Sequence, residues 1–261
     1  MKESNFSNNQ DFLRQCTTLA AIVGGFAVNV ISNVAPLNGM SIGEISNSLF
    51  QDVLIIPANY AFIIWGLIYL GLFALGVYQF LPSQKADPDL RKTGYLLVVA
   101  SISQCIWVYL FLSRFFGVSI LAMLGILVPL IMMHRRLEIG EQRVSRNKKF
   151  YVHYPISIYL GWISVATIVN VACALSFNNW NGFGVSGEIW TVIILITAAV
   201  ISGFMVINYR DLPYTGVTVW AFLAIAVKHG DNFLITTAAL GLGILLIILM
   251  FMKGLGNTNS V

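Results

Sequence analysis

Charge is scarce in this sequence. Aspartate, glutamate, lysine and arginine make up 10% of it and hydrophobic residues 57%, whereas soluble domains carry about 25% charged residues. A chain of 261 residues is long enough to bury a sizeable core. It would still need a charged surface in water, and that surface is missing. Lipid is therefore its solvent over most of its length. Cysteine is scarcer still: Cys16, Cys105 and Cys173 lie far apart inside apolar stretches, as small buried hydrophobes do and disulfide frameworks or CxxC metal sites do not. No carboxylate interrupts an apolar run, because all eleven acidic residues fall in loops or at run ends. Ion-coupled carriers rely on such a group, so proton-driven transport is disfavoured. HExxH, P-loop, Rossmann and G-x-S-x-G signatures are absent. His134, His153 and His229 stand at run ends without ligand-spaced partners, which leaves no expected metal site. The net charge of +4 comes from basic residues scattered between apolar runs. No nucleic-acid partner is implied.

What the sequence has in quantity is apolar runs. Eight are long enough, or nearly so, to cross a bilayer as helices: about 16–36, 57–81, 94–112, 115–133, 151–175, 189–207, 213–229 and 234–252. Helices satisfy their own backbone hydrogen bonds in lipid, and no run alternates as a barrel strand would. The expected fold class is an all-α integral membrane protein, a helical bundle of about eight transmembrane helices. The polar N-terminus "MKESNFSNNQDFLRQ" precedes a run with no A-x-A cleavage site, so that run is read as a retained first span. With the N-terminus inside, thirteen basic residues fall in inside segments, and only Arg114 and Lys228 fall outside. This positive-inside bias places both termini in the cytoplasm. The outside loop 37–56 is either a lid over the bundle or a simple connector. Trp180 and Phe183 in the second outside loop suit an interfacial aromatic belt.

The remaining signal is aromatic. In the second span Phe62, Trp65, Tyr69 and Phe73 form one helical stripe. Gln104, Trp107 and Phe111 repeat the spacing in the third. In the fifth, Tyr159, Trp162, Ala166, Asn170 and Cys173 share one face. Each stripe taken singly reads as bundle packing. Together they combine large rings with hydrogen-bonding groups, whereas packing in lipid is achieved most simply with small residues. Facing one another, they would wall a cavity suited to a planar hydrophobic ligand. In the first span Gly25, Asn29 and Asn33 share a face, read as interhelical packing with an amide hydrogen bond in preference to ligand contact.

These stripes resemble motifs of the TspO/MBR family, tryptophan-rich sensory proteins related to the mitochondrial translocator protein. The fifth-span "YLGWISVATIVN" is similar to the family's P-Y-x-x-W-x-x-F-A-x-x-L-N through Tyr159, Trp162, Ala166 and Asn170, with the proline displaced to Pro155. The second-span "PANYAFIIWGLIY" matches through Pro57, Phe62, Trp65 and Tyr69, with Tyr60 in place of the first tryptophan. "QCIWVYLF" matches the third-span motif, with Gln104 in place of asparagine. The likeness covers about residues 16–178. It implies a five-helix domain over 1–178, with three further helices over 179–261 as in the longer bacterial members.

The resemblance also implies a function and its setting. The aromatic pocket would bind a tetrapyrrole such as a porphyrin, with a sensory or regulatory role in stress or pigment metabolism. The lining residues would be Phe62, Trp65, Tyr69, Gln104, Trp107, Phe111, Tyr159, Trp162, Ala166 and Asn170. No catalytic residue and no required cofactor are expected beyond a bound porphyrin. The alternatives are a transporter of a hydrophobic or amphipathic solute and an enzyme degrading porphyrin in light, with enzymatic activity the less expected. The expected location is the bacterial inner membrane. The partners are the lipid bilayer and a small hydrophobic ligand, and small-residue faces permit a homodimer.

Overall fold

The structure is a computed structural model that describes residues 2–255, with side chains from 9 to 254. The expected cytoplasmic C-terminus, within 256–261, lies outside the described residues, as do the side chains of Lys2 and Glu3.

Every expected span is a helix. These are α1 (Lys2–Val34), α3 (Ile64–Tyr78), α5 (Leu96–Leu112), α6 (Phe116–Arg136), α8 (Tyr154–Phe177), α9 (Gly187–Tyr209), α10 (Leu212–Lys228) and α11 (Phe233–Leu255). Between them lie three short helices, α2 (Ile42–Ser48), α4 (Pro88–Thr93) and α7 (Arg146–Lys148). Among the described residues, six helices are long and apolar enough to cross a membrane by themselves, and α5 and α10 are shorter apolar helices of 17 residues. Seventeen residues span about 25 Å, near the lower limit for a bilayer core. Large apolar side chains such as Leu70 and Leu121 remain exposed on the outer faces, as lipid-facing positions must.

Local chemistry sets the boundaries. α1 begins well before residue 16, because its polar segment has partners at the end of the bundle where basic residues gather. Arg14 donates to the Leu90 carbonyl (3.0 Å), Arg91 binds Asp11, and the Gln15 and Gln79 side chains each donate to the other's backbone (3.1 Å or closer). Asp87 caps α4 ahead of Pro88. α7 passes through a π-helical turn, Lys149–His153, into α8. Pro155 lies just beyond that turn and has no N–H to give the helix. α9 ends at Arg210, whose φ of 49° is left-handed, and Asp211 then caps α10 by accepting the Tyr214 N–H (3.1 Å).

The neighbour relations close a ring of five helices: α1 on α3, α3 on α8, α8 on α6, α6 on α5 and α5 on α1. α10 packs on α8 outside this ring, and α9 and α11 pack on α10. The α8–α10 contact is close, since a Cβ on Gly161 would lie 3.0 Å from the Tyr214 carbonyl oxygen. α10 also ties to the 3-10 turn Asn59–Ile63 just before α3, where Trp220 Nε1 donates to the Ala61 carbonyl (3.1 Å).

The loop after α1 is packed down and does not hang free. Ile45, Phe50, Ile55 and Ile56 are buried, and Phe50 meets the ring of Phe116 edge-on at 4.8 Å. Residues 37–56 thus cover one end of the ring, called here the lid end. The opposite end, with α4 and the 137–149 segment, is the basic end.

Candidate functional site

Inside the five-helix ring the three stripes converge. Their polar groups meet one another in two sets. In the first, Tyr159 of α8 donates its hydroxyl to Gln104 Oε1 on α5, and Gln104 Nε2 donates to Tyr69 Oη on α3 (2.5 Å). In the second, Trp107 Nε1 of α5 donates to Asn170 Oδ1 of α8 (2.6 Å), and Asn170 Nδ2 donates to Ser119 Oγ of α6 (2.9 Å). Ser119 in turn donates to the Phe116 carbonyl (2.7 Å). Tyr69, Gln104, Trp107, Tyr159 and Asn170 are all buried. A buried polar group without a partner is costly in hydrocarbon, and here each sequence-chosen amide answers an aromatic donor.

The rings fill the space between these sets. Trp65 stacks on Tyr69 (5.9 Å between centroids) and meets Tyr159 edge-on (6.0 Å). Phe62 meets Trp162 edge-on at 5.9 Å, and Trp107 lies 5.3 Å from Phe111. Ala166 packs half-buried against the same core. The stripes therefore face one another, as their spacing implied, but they pack ring against ring.

Open space reaches the stripes at the lid end. A cleft of about 280 Å³ is walled by Phe62 and Trp65 on one side and by Asn29, Asn33, Ser41, Glu44 and Asn59 on others. Phe62 and Trp65 are both half-buried there. The cleft corrects the expectation for Asn29 and Asn33. Asn33 Nδ2 bonds within its own helix to the Asn29 carbonyl (2.8 Å), and both residues line the cleft. α2 roofs it, held by a capping box in which Glu44 accepts from Ser41 N (2.7 Å) and Ser41 Oγ from Glu44 N (3.3 Å).

Other residues of the core were not legible in the sequence. Ser119 and the Phe116 carbonyl complete the Asn170 set, yet nothing in their spacing marks them. Phe26 of α1, itself exposed, meets Tyr69 and Phe73 edge-on at 5.2 and 5.3 Å. At the basic end, Asp211 is 2% exposed. It accepts from Ser157 Oγ (2.8 Å) and pairs with His134 Nε2 (2.9 Å). Its sequence signal was the D-L-P of a capped helix start. Cys16, Cys105 and Cys173 are unpaired thiols.

Comparison with known proteins adds one finding. The model of a family described as TSPO-like protein matches residues 15–252, running from α1 through most of α11. No curated protein and no solved structure matches the chain.

Proposed function

The chain belongs to the TSPO-like protein family, and from that premise we propose that it binds a planar hydrophobic ligand of the tetrapyrrole class at the lid end of the ring. The observation that carries this reading is the cleft lined by Trp65 and Phe62 together with Asn29, Asn33 and Asn59. An apolar macrocycle stacks on indole and phenyl faces. The polar substituents at its rim take hydrogen bonds from amide N–H groups. At about 280 Å³ the cleft is just below the range usual for small-molecule sites. A tetrapyrrole therefore enters with α2 displaced.

In this reading Gln104 and Asn170 hold the walls in place and do not touch the ligand, since their amide atoms are already bonded to protein. Residues 2–178 form the binding ring, and 179–255 brace α8 through α10. The scarcity of outside basic residues orients the lid end away from the cytoplasm, in a bacterial inner membrane. The role is sensory or regulatory: the ligand is held, not turned over.

The test is a titration of purified protein with protoporphyrin IX, followed by the shift of the porphyrin absorbance band. Trp65→Ala should weaken binding about tenfold by loss of one stacking face. Trp162→Ala, which removes support behind Phe62, should weaken it less. Unchanged affinity in folded Trp65→Ala protein would remove the cleft from the reading. Bleaching of the band in light would move the reading to degradation, and porphyrin flux into vesicles would move it to transport.

A further inference from the structure

The basic end holds a buried polar group that the lid-end site does not use. His153, in the π-helical turn before α8, is 4% exposed, and its Nε2 has no hydrogen-bond partner. That nitrogen is closed to solvent, so the polar groups that face an incoming ligand are those around it. His153 lines a cleft of about 520 Å³ together with Arg143, Lys149 and Arg210. The acidic groups on the same walls are Glu141 and Asp211. Asp211 already accepts from Ser157 and the Tyr214 N–H and pairs with His134. Arg143 and Lys149, both exposed, are thus the donors that the cleft offers to an incoming acceptor.

A second cleft begins where this one ends. Tyr209 borders both. The second cleft, about 430 Å³, lies between α6, α8, α9 and α10, with walls that include Ile131, Ile168, Ile201 and Phe204. Ile131, Ile201 and Phe204 are exposed, so this apolar groove opens on the lipid-facing side of the bundle.

We propose that the two clefts form one site for an anionic phospholipid of the surrounding membrane. Its phosphate sits between Arg143 and Lys149, and an acyl chain lies in the groove. Phosphate oxygens are acceptors only, which suits an ammonium and a guanidinium. A basic pocket at the headgroup level of transmembrane helices is placed to take such a group. A soluble phosphate would leave the groove empty, and a headgroup bearing a cation would gain less from the basic wall. A lipid seated here contacts α6 and α8 of the ring and α9 and α10 beside it, so it bridges the two parts of the bundle.

The experiment incorporates the full chain into nanodiscs of equimolar phosphatidylglycerol and phosphatidylcholine. The protein is then extracted, and the retained lipid is quantified by mass spectrometry. Phosphatidylglycerol should be enriched over the input ratio. Arg143→Gln and Lys149→Gln should each lower that enrichment about fivefold. Both side chains are exposed, so both variants should fold. Ile201→Trp, which narrows the groove, should reduce retained lipid without altering the basic wall. Retention at the input ratio, or enrichment unchanged in the Arg143→Gln Lys149→Gln double variant, would overturn the proposal. Displacement by glycerol phosphate with no effect of Ile201→Trp would also overturn it, because a soluble phosphate would then be the ligand. Porphyrin affinity at the lid end should stay the same throughout, which keeps the two sites experimentally separate.

Discussion

Asn170→Ala is the substitution that most directly tests how the ring is held. The Asn170 side chain links three helices: its Oδ1 accepts the Trp107 indole at 2.6 Å, and its Nδ2 donates to Ser119 Oγ at 2.9 Å. Asn170 is 2% exposed, Trp107 7% and Ser119 0%, so no solvent can replace the lost partner. An interhelical hydrogen bond in a membrane protein contributes about 0.6 kcal/mol on average and up to about 1.7. A buried donor left unpaired costs about 1–3 kcal/mol. The indole N–H is orphaned outright, whereas Ser119 keeps its bond to the Phe116 carbonyl. The expected loss is therefore about 2–3 kcal/mol, roughly a 30- to 150-fold shift in the folding equilibrium. Reversible unfolding in mixed micelles, followed by tryptophan fluorescence and helical circular dichroism, measures it. Asn33→Ala is the control, because its bond is within one helix at an exposed site, and it should stay within about 0.5 kcal/mol. A double-mutant cycle of Trp107→Phe with Asn170→Ala should show coupling of about 1 kcal/mol or more. A loss below about 0.5 kcal/mol for Asn170→Ala would refute the reasoning, since the amide would not then be the indole's necessary partner.

Two close backbone approaches set further expectations. Gly161→Val should destabilise the α8–α10 contact by about 1–3 kcal/mol, because even a Cβ would lie 3.0 Å from the Tyr214 carbonyl oxygen; a lower unfolding midpoint in SDS reads this. Gly140→Ala should be more damaging, at about 3 kcal/mol or more, since Gly140 has φ of +83° and its Cβ would overlap the Tyr209 carbonyl; its folded yield on extraction should fall sharply. The pH dependence follows from Asp89, whose carboxyl is held below its ordinary value of 3.8 mainly by the Lys148 ammonium hydrogen bond. A carboxylate with a depressed folded pKa adds stability above its unfolded pKa and loses it as pH falls through the folded value. The stability gained from this pair should be present above about pH 4 and fade below it, and Lys148→Gln should flatten that limb of an acid unfolding curve.

The sequence made the helices legible because lipid imposes a simple rule on them: a long uncharged run must be helical. That rule located all eight apolar helices, six of them long enough to cross a membrane, and helical periodicity put Tyr69, Gln104, Trp107, Tyr159 and Asn170 on inward faces. It could not show that these groups satisfy one another. Whether an inward amide meets a ligand or a neighbouring indole depends on the rotation and depth of the facing helix, and on which residues arrive from α6. Ser119 is one such arrival. The start of α1 was missed for a related reason. A polar segment looks like a loop until Arg91 and the Leu90 carbonyl are seen to be placed against it.

The same division holds for the ends of the bundle. Asn29 and Asn33 read as helix-packing amides because spacing reports a face and not what stands opposite it; folding of loop 37–56 puts α2 there and leaves a cleft between. Asp211 and His134 were visible as residues at run ends, far apart in sequence. Their burial together followed only when α6, α8 and α10 met at the basic end. The sequence by itself determined the solvent of this protein, its helical content and the inward faces, because hydropathy and periodicity are local properties of a chain. The tertiary structure alone decided which polar groups are closed on each other and which remain open to a ligand, because a hydrogen-bond partner or a void exists only where separate helices come together.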